Sequence, residues 1–255
     1  MRQYSDVISL SKNARGVYSI DTIMGCNSGT KDSERGCYND CYAANYARRY
    51  GYNFGHIVRR GFKGVRGPQK LVSQINKIDM PFVRIGTSGD PSEDWAHTLY
   101  IIEALFGIEK PIVIITKHWN NMNEEQLTKL FCLNVHVNTS VSALDDPDIL
   151  ENGLCQFERL KPFCNSRLRI VTCDFNIDNP EGRRLKAIQD GMVSTKGYID
   201  TVFRASSKSN PLITQGIINT QISRFLNKKM IVSKAEKNPY LGKCEKCPQM
   251  CGVTM

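Results

Sequence analysis

The 255-residue chain contains no uncharged apolar stretch approaching the roughly 18 residues that a membrane-spanning helix needs. Its opening, MRQYSDVISLSKN, lacks the continuous apolar core of a secretory signal, which sets the expectation of a cytoplasmic protein. There is no internal repeat and no low-complexity tract, so solenoid and disordered classes are set aside. Histidine is scarce: His56, His97, His118 and His136 are the only four, and their spacing forms neither a catalytic pair nor a zincin motif. Acid is in deficit as well, with 25 Asp and Glu against 34 Lys and Arg, a net charge of +9.

Hydrophobic residues make up 41% and charged residues 23%, a balance that suits one α/β domain with a sizeable core. Such a chain needs no disulfide staples, so its ten cysteines are read as metal ligands or buried thiols. Six of them form two tight groups, Cys26/Cys37/Cys41 and Cys244/Cys247/Cys251. Cys132, Cys155, Cys164 and Cys173 are scattered, most simply as core residues. The basic excess favours a polyanionic partner. Arg48, Arg49, Arg59, Arg60, Lys63 and Arg66 crowd one segment, interleaved with Tyr46, Tyr50, Tyr52, Phe54 and Phe62. Such a segment suits either a nucleic-acid surface or an ordinary solvated basic face.

Six short runs read as buried strands: 17–24, 82–87, 111–116, 133–141, 167–173 and 201–205. In the fourth, Val135 and Val137 alternate with His136 and Asn138; the fifth alternates through Leu168, Ile170 and Val171. Between them lie helix signals. Asp90-Pro91-Ser92-Glu93 offers a cap, a first-turn proline and a capping-box Glu, and Asn123 with Gln126 repeats the cap. Helical patterns follow at 180–190 and 212–226. This alternation predicts a parallel sheet with βαβ crossovers. From the second strand on, strand starts lie roughly 22 to 34 residues apart. About sixty residues separate the first two, an insertion that holds the first cysteine group and the basic segment.

The first group, Cys26-x10-Cys37-x3-Cys41, supplies three thiolates directly after the first strand and no evident fourth ligand. Such a set leaves one coordination position open, whether it holds zinc or an iron–sulfur cube. In this the chain resembles the radical S-adenosylmethionine superfamily, and the segment Gly36–Ala43 (GCYNDCYA) resembles its divergent members in phage and mobile elements. The usual CxxxCxxC spacing is replaced by CX10CX3C. The resemblance implies a partial (β/α)6 TIM-like barrel and a [4Fe–4S] cluster on Cys26, Cys37 and Cys41. It further implies S-adenosyl-L-methionine bound at the open iron and cleaved reductively to methionine and a 5′-deoxyadenosyl radical that abstracts hydrogen from a substrate, a nucleic acid or nucleotide on the charge argument. An electron donor such as flavodoxin or ferredoxin is implied too.

Gly86-Thr87-Ser88-Gly89-Asp90 follows the second strand, where the family places a segment that contacts the methionine amino group; Ser88, Gly89 and Asp90 would carry that role. Asp90 equally suits a helix cap, whereas Gly86 and Gly89 point to close backbone approach to a ligand. Ser140 and Arg204 are the further cofactor candidates, with Thr116, Lys117, His118, Asn138 and Asp174 as weaker ones at other strand ends. The second group, Cys244-x2-Cys247-x3-Cys251, reads as a metal site in a polar tail, either an auxiliary iron–sulfur cluster or zinc. The expected organisation is therefore a radical-SAM-like partial barrel over 1–227, with the cluster loop and basic insertion at about 25–68, and a cysteine tail over 228–255. The competing expectation is a non-enzymatic zinc- or cluster-stabilised nucleic-acid-binding protein.

Overall fold

Apolar β-branched runs separated by capped amphipathic segments fold here into a mixed α/β structure around a mostly parallel sheet. In this computed structural model the described residues are 2–13, 15–28, 41–195, 197–202, 211–213, 244–247 and 249–253. The strands are β1 (Ser11–Lys12), β2 (Tyr18–Ser19), β3 (Ile23–Met24), β4 (Val58–Arg59), β5 (Val83–Ile85), β6 (Ile112–Thr116), β7 (Val135–Val141), β8 (Asn165–Thr172) and β9 (Ile199–Val202). Seven of them form one sheet in the order β1-β2-β5-β6-β7-β8-β9, parallel from β2 to β9, with β1 added antiparallel at the edge. β3 and β4 form a separate antiparallel pair.

The described helices are α1 (Tyr42–Arg49), α2 (Gly67–Asn76), α3 (Trp95–Ala104), α4 (Glu124–Phe131), α5 (Pro147–Leu160) and α6 (Pro180–Val193). α4 carries the expected capping box between Asn123 and Gln126. Asp90 caps a 3-10 turn, Pro91–Asp94, and Asp94 then caps α3. Among the described residues no helix is long and apolar enough to cross a membrane.

Parallel strands buried by helices need an apolar face, and alternation supplies one. Val83, Ile85, Ile112, Ile114, Val135 and Val137 pack with Leu71, Leu99, Leu127 and Leu130 from the helices, while Val141, Leu168 and Ile170 pack with Phe157 and Leu185. The intervening residues on the central and distal strands are mostly polar, with Val113, Ile115, Val171 and Ile199 as apolar exceptions. Arg84, His136, Asn138, Ser140, Arg167, Arg169 and Thr201 occupy the opposite face by register. That polar face positions the candidate site.

The expected first strand, 17–24, is two strands. Asp21 and Thr22 interrupt it, and β3 leaves the sheet to pair with β4. Among the described residues the topology is one sheet with β1 and β9 at its two ends, a mostly parallel α/β arrangement. Most of the expected 212–226 helix lies outside the described residues.

Candidate functional site

β3 runs into Gly25, whose φ of +83° is ordinary for glycine and strained for other residues. A Cβ there would fall 2.5 Å from the His56 carbonyl oxygen and 2.7 Å from that of Phe54. The glycine thus lets three chain segments meet. Gly25 N–H donates to Ser88 O (3.0 Å), and the next amide, Cys26, donates to Phe54 O (2.8 Å). Cys26 is thereby buried at the carboxyl edge of the fold.

Cys41 reaches the same place from within the insertion, at the N-cap of α1. The two cysteines share an apolar cluster with Ala47, Phe54, Tyr4 and Trp119. Burial pushes the Cys41 thiol up, and the amides of Ala44 and Ala43 and the Lys117 charge pull it back. Those amides are helix N-terminal donors, suited to a thiolate or to a thiolate bound to metal. Lys117 is itself fixed, its Nζ lying 2.6 and 2.5 Å from the two carboxylate oxygens of Asp145, both partners being largely buried. Cys37, the third member of the group, lies outside the described residues.

The glycine loop after β5 is occupied by the protein itself. The amides of Gly86 and Thr87 donate to Asp21 Oδ1 at 3.0 and 2.8 Å, and Ser88 donates to Asp21 Oδ2 at 3.0 Å. This is a backbone anion nest filled by a buried carboxylate. Burial pushes the Asp21 carboxyl up, against the three amides and the Arg84 charge. Gly86 and Gly89 also meet protein backbone at their Cα positions. A Cβ at Gly86 (φ +92°) would lie 2.1 Å from Ile115 O, and one at Gly89 would lie 2.5 Å from Ile23 O. Both close approaches are therefore made to neighbouring chain at the Cα positions.

Asp90 behaves as a cap and a clamp. Its Oδ1 accepts from Ser92 N (2.9 Å), Ser92 Oγ (2.7 Å) and Thr116 Oγ1 (2.7 Å), and its Oδ2 from Lys117 N (2.8 Å). The carboxylate ties the ends of β5 and β6 together, which leaves it a positioning role. Ser88 and Gly89 remain at the strand edge beside Gly25-Cys26. Ser140 lies half-buried on the polar face, in register with Arg169. Arg204 lies outside the described residues.

His118 is buried after β6 with a φ of 54°, in the left-handed region. Its Nε2 lies 3.0 Å from Thr139 Oγ1, its Nδ1 has no hydrogen-bond partner, and burial alone pushes its pKa down to about 3. Trp119 packs on the cysteine cluster. Asp21, Asp145 and the Lys117 ion pair escaped sequence reasoning as site elements, although an acid inside the apolar run SIDTIM was a visible signal.

The described part of the tail sits on the polar sheet face. Cys244 N donates to Arg15 O (2.6 Å), and Asn138 Nδ2 donates to Cys251 O (2.9 Å). Gly252, with φ +84°, packs against Arg167 and Ile199. Cys244, Cys247 and Cys251 line one cleft with Arg15, Arg84 and Arg169. Among the described residues no three Cys, His, Asp or Glu side chains are gathered to hold a metal ion. Of the scattered cysteines, Cys173 is buried and Cys164 half-buried, as expected of core thiols, but Cys132 and Cys155 are exposed. Cys132 caps the end of α4 beside an exposed Phe131, so an apolar neighbour in sequence did not mean a core position.

No family model matches the chain, and no curated protein or solved structure matches it either.

Proposed function

We propose that the chain is a radical S-adenosylmethionine enzyme built on a partial (β/α)6 barrel, with Cys26, Cys37 and Cys41 holding a [4Fe–4S] cluster. The observation that carries the reading is the convergence of Cys26 and Cys41, fifteen positions apart, in one cluster at the carboxyl edge of a parallel sheet. Cofactor sites of open α/β sheets and barrels gather at that edge. What supports the donor set is that two cysteines share one apolar cluster, one of them at a helix N-terminus with a lysine charge nearby.

Cys26, Cys37 and Cys41 would hold the cluster, which, once reduced by a donor such as flavodoxin or ferredoxin, would supply the electron for cleavage of S-adenosylmethionine to methionine and a 5′-deoxyadenosyl radical. The chain's own work is binding, orientation and exclusion of water. Asp21 fixes the Gly86–Ser88 loop, and that loop holds Gly25-Cys26 through the bond to Ser88 O. Asp90 locks the ends of β5 and β6 in register. Lys117 offsets thiolate charge at Cys41 while Asp145 keeps its ammonium in place. Phe54, Tyr4 and Trp119 wall the cysteines from solvent. Ser88, Gly89, Ser140 and Arg204 are the proposed contacts to S-adenosylmethionine. The tail thiols Cys244, Cys247 and Cys251 are proposed as ligands of an auxiliary iron–sulfur cluster or zinc.

The exposed basic surface of the insertion favours a second reading, a metal-stabilised nucleic-acid-binding protein without catalysis. Anaerobic reconstitution separates the two. The enzyme is brown, holds iron and sulfide, and releases 5′-deoxyadenosine from S-adenosylmethionine under reductant. The binding protein is redox-silent and releases none.

A further inference from the structure

From Cys41 to Ile78 the chain carries eight Lys and Arg residues and no Asp or Glu, nearly the whole net charge of +9. The structure divides these cations. Arg60 is buried and donates to the carbonyl oxygens of Asp21 and Val7. Arg59 is paired with Asp94 at 2.6 Å. Arg48, Arg49, Lys63, Arg66, Lys70 and Lys77 are exposed.

α1 carries part of this charge beside exposed aromatic rings. Its inner face is small and apolar: Ala43, Ala44 and Ala47 pack on the cluster of Cys26 and Phe54. Its outer face presents Tyr46 and then, one turn on, Tyr50 at the helix end, 61% and 45% exposed. Their ring centroids lie 4.5 Å apart at an interplanar angle of 42°. Arg48 and Arg49 occupy the last turn, and the Arg48 guanidinium donates to the neutral Asn45 side chain at 3.0 Å. Arg2 is brought alongside by the hydrogen bond its backbone N–H donates to Gly51 O (2.8 Å), and Arg2, Arg49 and Tyr50 line one shallow open depression. The platform is anchored beneath by Tyr4 stacked on Tyr52, with centroids 4.7 Å apart and planes 3° from parallel.

Two neighbouring exposed rings on a helix offer flat apolar faces on which a planar partner can stack. Basic side chains around them need a regularly spaced anion. Unpaired bases on a phosphate backbone supply both, whereas a duplex hides its base faces. We propose that the outer face of α1, with Arg2, binds single-stranded nucleic acid: bases stack on Tyr46 and Tyr50, and phosphates run past Arg2, Arg48 and Arg49. Tyr46 lies five residues from Cys41 on the same helix, about 7.5 Å of axial rise, so a bound strand lies beside the candidate cluster edge. The binding surface stands on its own residues; only the identification of the strand as substrate rests on the proposed enzymatic function.

The test uses the full-length, anaerobically reconstituted protein and a fluorescein-labelled oligothymidylate of about 12 nucleotides, read by anisotropy across a salt series. Binding is expected to weaken with a log–log salt slope of about −2 for three phosphate contacts, and Arg48→Ala/Arg49→Ala removes about 1.4 of that slope. Tyr46→Ala and Tyr50→Ala each weaken binding about tenfold, with the slope unchanged. Both residues are exposed, so a matching thermal melt certifies the fold of each variant. The proposal is overturned by an absence of binding, by binding that ignores both tyrosines, or by equal affinity for a duplex. Binding to anionic phosphatidylglycerol vesicles in place of the oligonucleotide overturns it too. Release of 5′-deoxyadenosine without oligonucleotide is measured in the same preparation, so failure of the surface and failure of the enzymatic reading are seen separately.

Discussion

Asp21 is the residue whose removal discriminates most sharply between a filled nest and an incidental buried acid. Its carboxylate accepts from three consecutive amides at 2.8 to 3.0 Å and is 5% exposed. Asp21→Ala leaves three half-buried N–H groups without acceptors, each costing up to about 1–3 kcal/mol. Relaxation of the loop and entry of water reduce the sum, so the expected loss is about 3–5 kcal/mol. Asp21→Asn retains one oxygen for Gly86 and Thr87 but turns an amide toward Ser88 N–H, donor against donor, for about 2–3 kcal/mol. Urea unfolding at neutral pH, followed by far-ultraviolet circular dichroism, gives both values. Hydrogen exchange adds a local readout. Protection at 86–88 falls first, and at Gly25 next, because Gly25 hangs on Ser88 O. A cost below about 1 kcal/mol for Asp21→Ala, or unchanged exchange at 86–88, refutes the reasoning.

Two further outcomes follow from backbone strain and burial. Gly86→Ala meets Ile115 O at 2.1 Å, whereas Gly107→Ala, at nearly the same φ, meets nothing within 4 Å. The first is expected to cost more than about 3 kcal/mol and the second about 1–2 kcal/mol, and equal losses in thermal melts would sink the steric argument. His118 is held neutral, its pKa moved from 6.5 to about 3, so the unfolded chain binds the extra proton between those values. Stability therefore falls as pH drops below about 6.5, by about 2 kcal/mol at pH 5 from this residue alone. His118→Asn tolerates the left-handed backbone and removes the titration. The difference between the two stability–pH curves should open over that range, and parallel curves count against it.

Local chemistry makes much of the fold legible in the sequence. The β-branched runs at 111–116 and 133–141 contain β6 and β7, and the Asn123/Gln126 box marks the start of α4. What stayed hidden depends on contacts distant in sequence. The run 17–24 reads as one strand because its apolar residues are continuous around Asp21; only the nest at Gly86–Ser88, 65 to 67 residues away, explains the break. β1 is two exposed polar residues with no pattern to detect. The cysteine-bearing tail reads as polar, with no pattern that fixes where it docks, yet single contacts from Asn138, Arg15 and Arg167 seat it on the sheet. In the candidate site, spacing singled out Cys26 and Cys41, whereas the roles of Lys117 and Asp145 arise only where β6 and the loop after β7 converge.

The central claim is that Cys26, Cys37 and Cys41 hold a cluster that cleaves S-adenosylmethionine. The most direct measurement is 5′-deoxyadenosine release by the anaerobically reconstituted chain under reductant, compared among wild type, Cys26→Ala, Cys37→Ala, Cys41→Ala and Cys132→Ala, the last a change at an exposed thiol outside both groups. The account predicts release by wild type and by Cys132→Ala, and none from the other three. Release that survives loss of all three cysteines, or silence from a wild-type protein loaded with iron and sulfide, contradicts it.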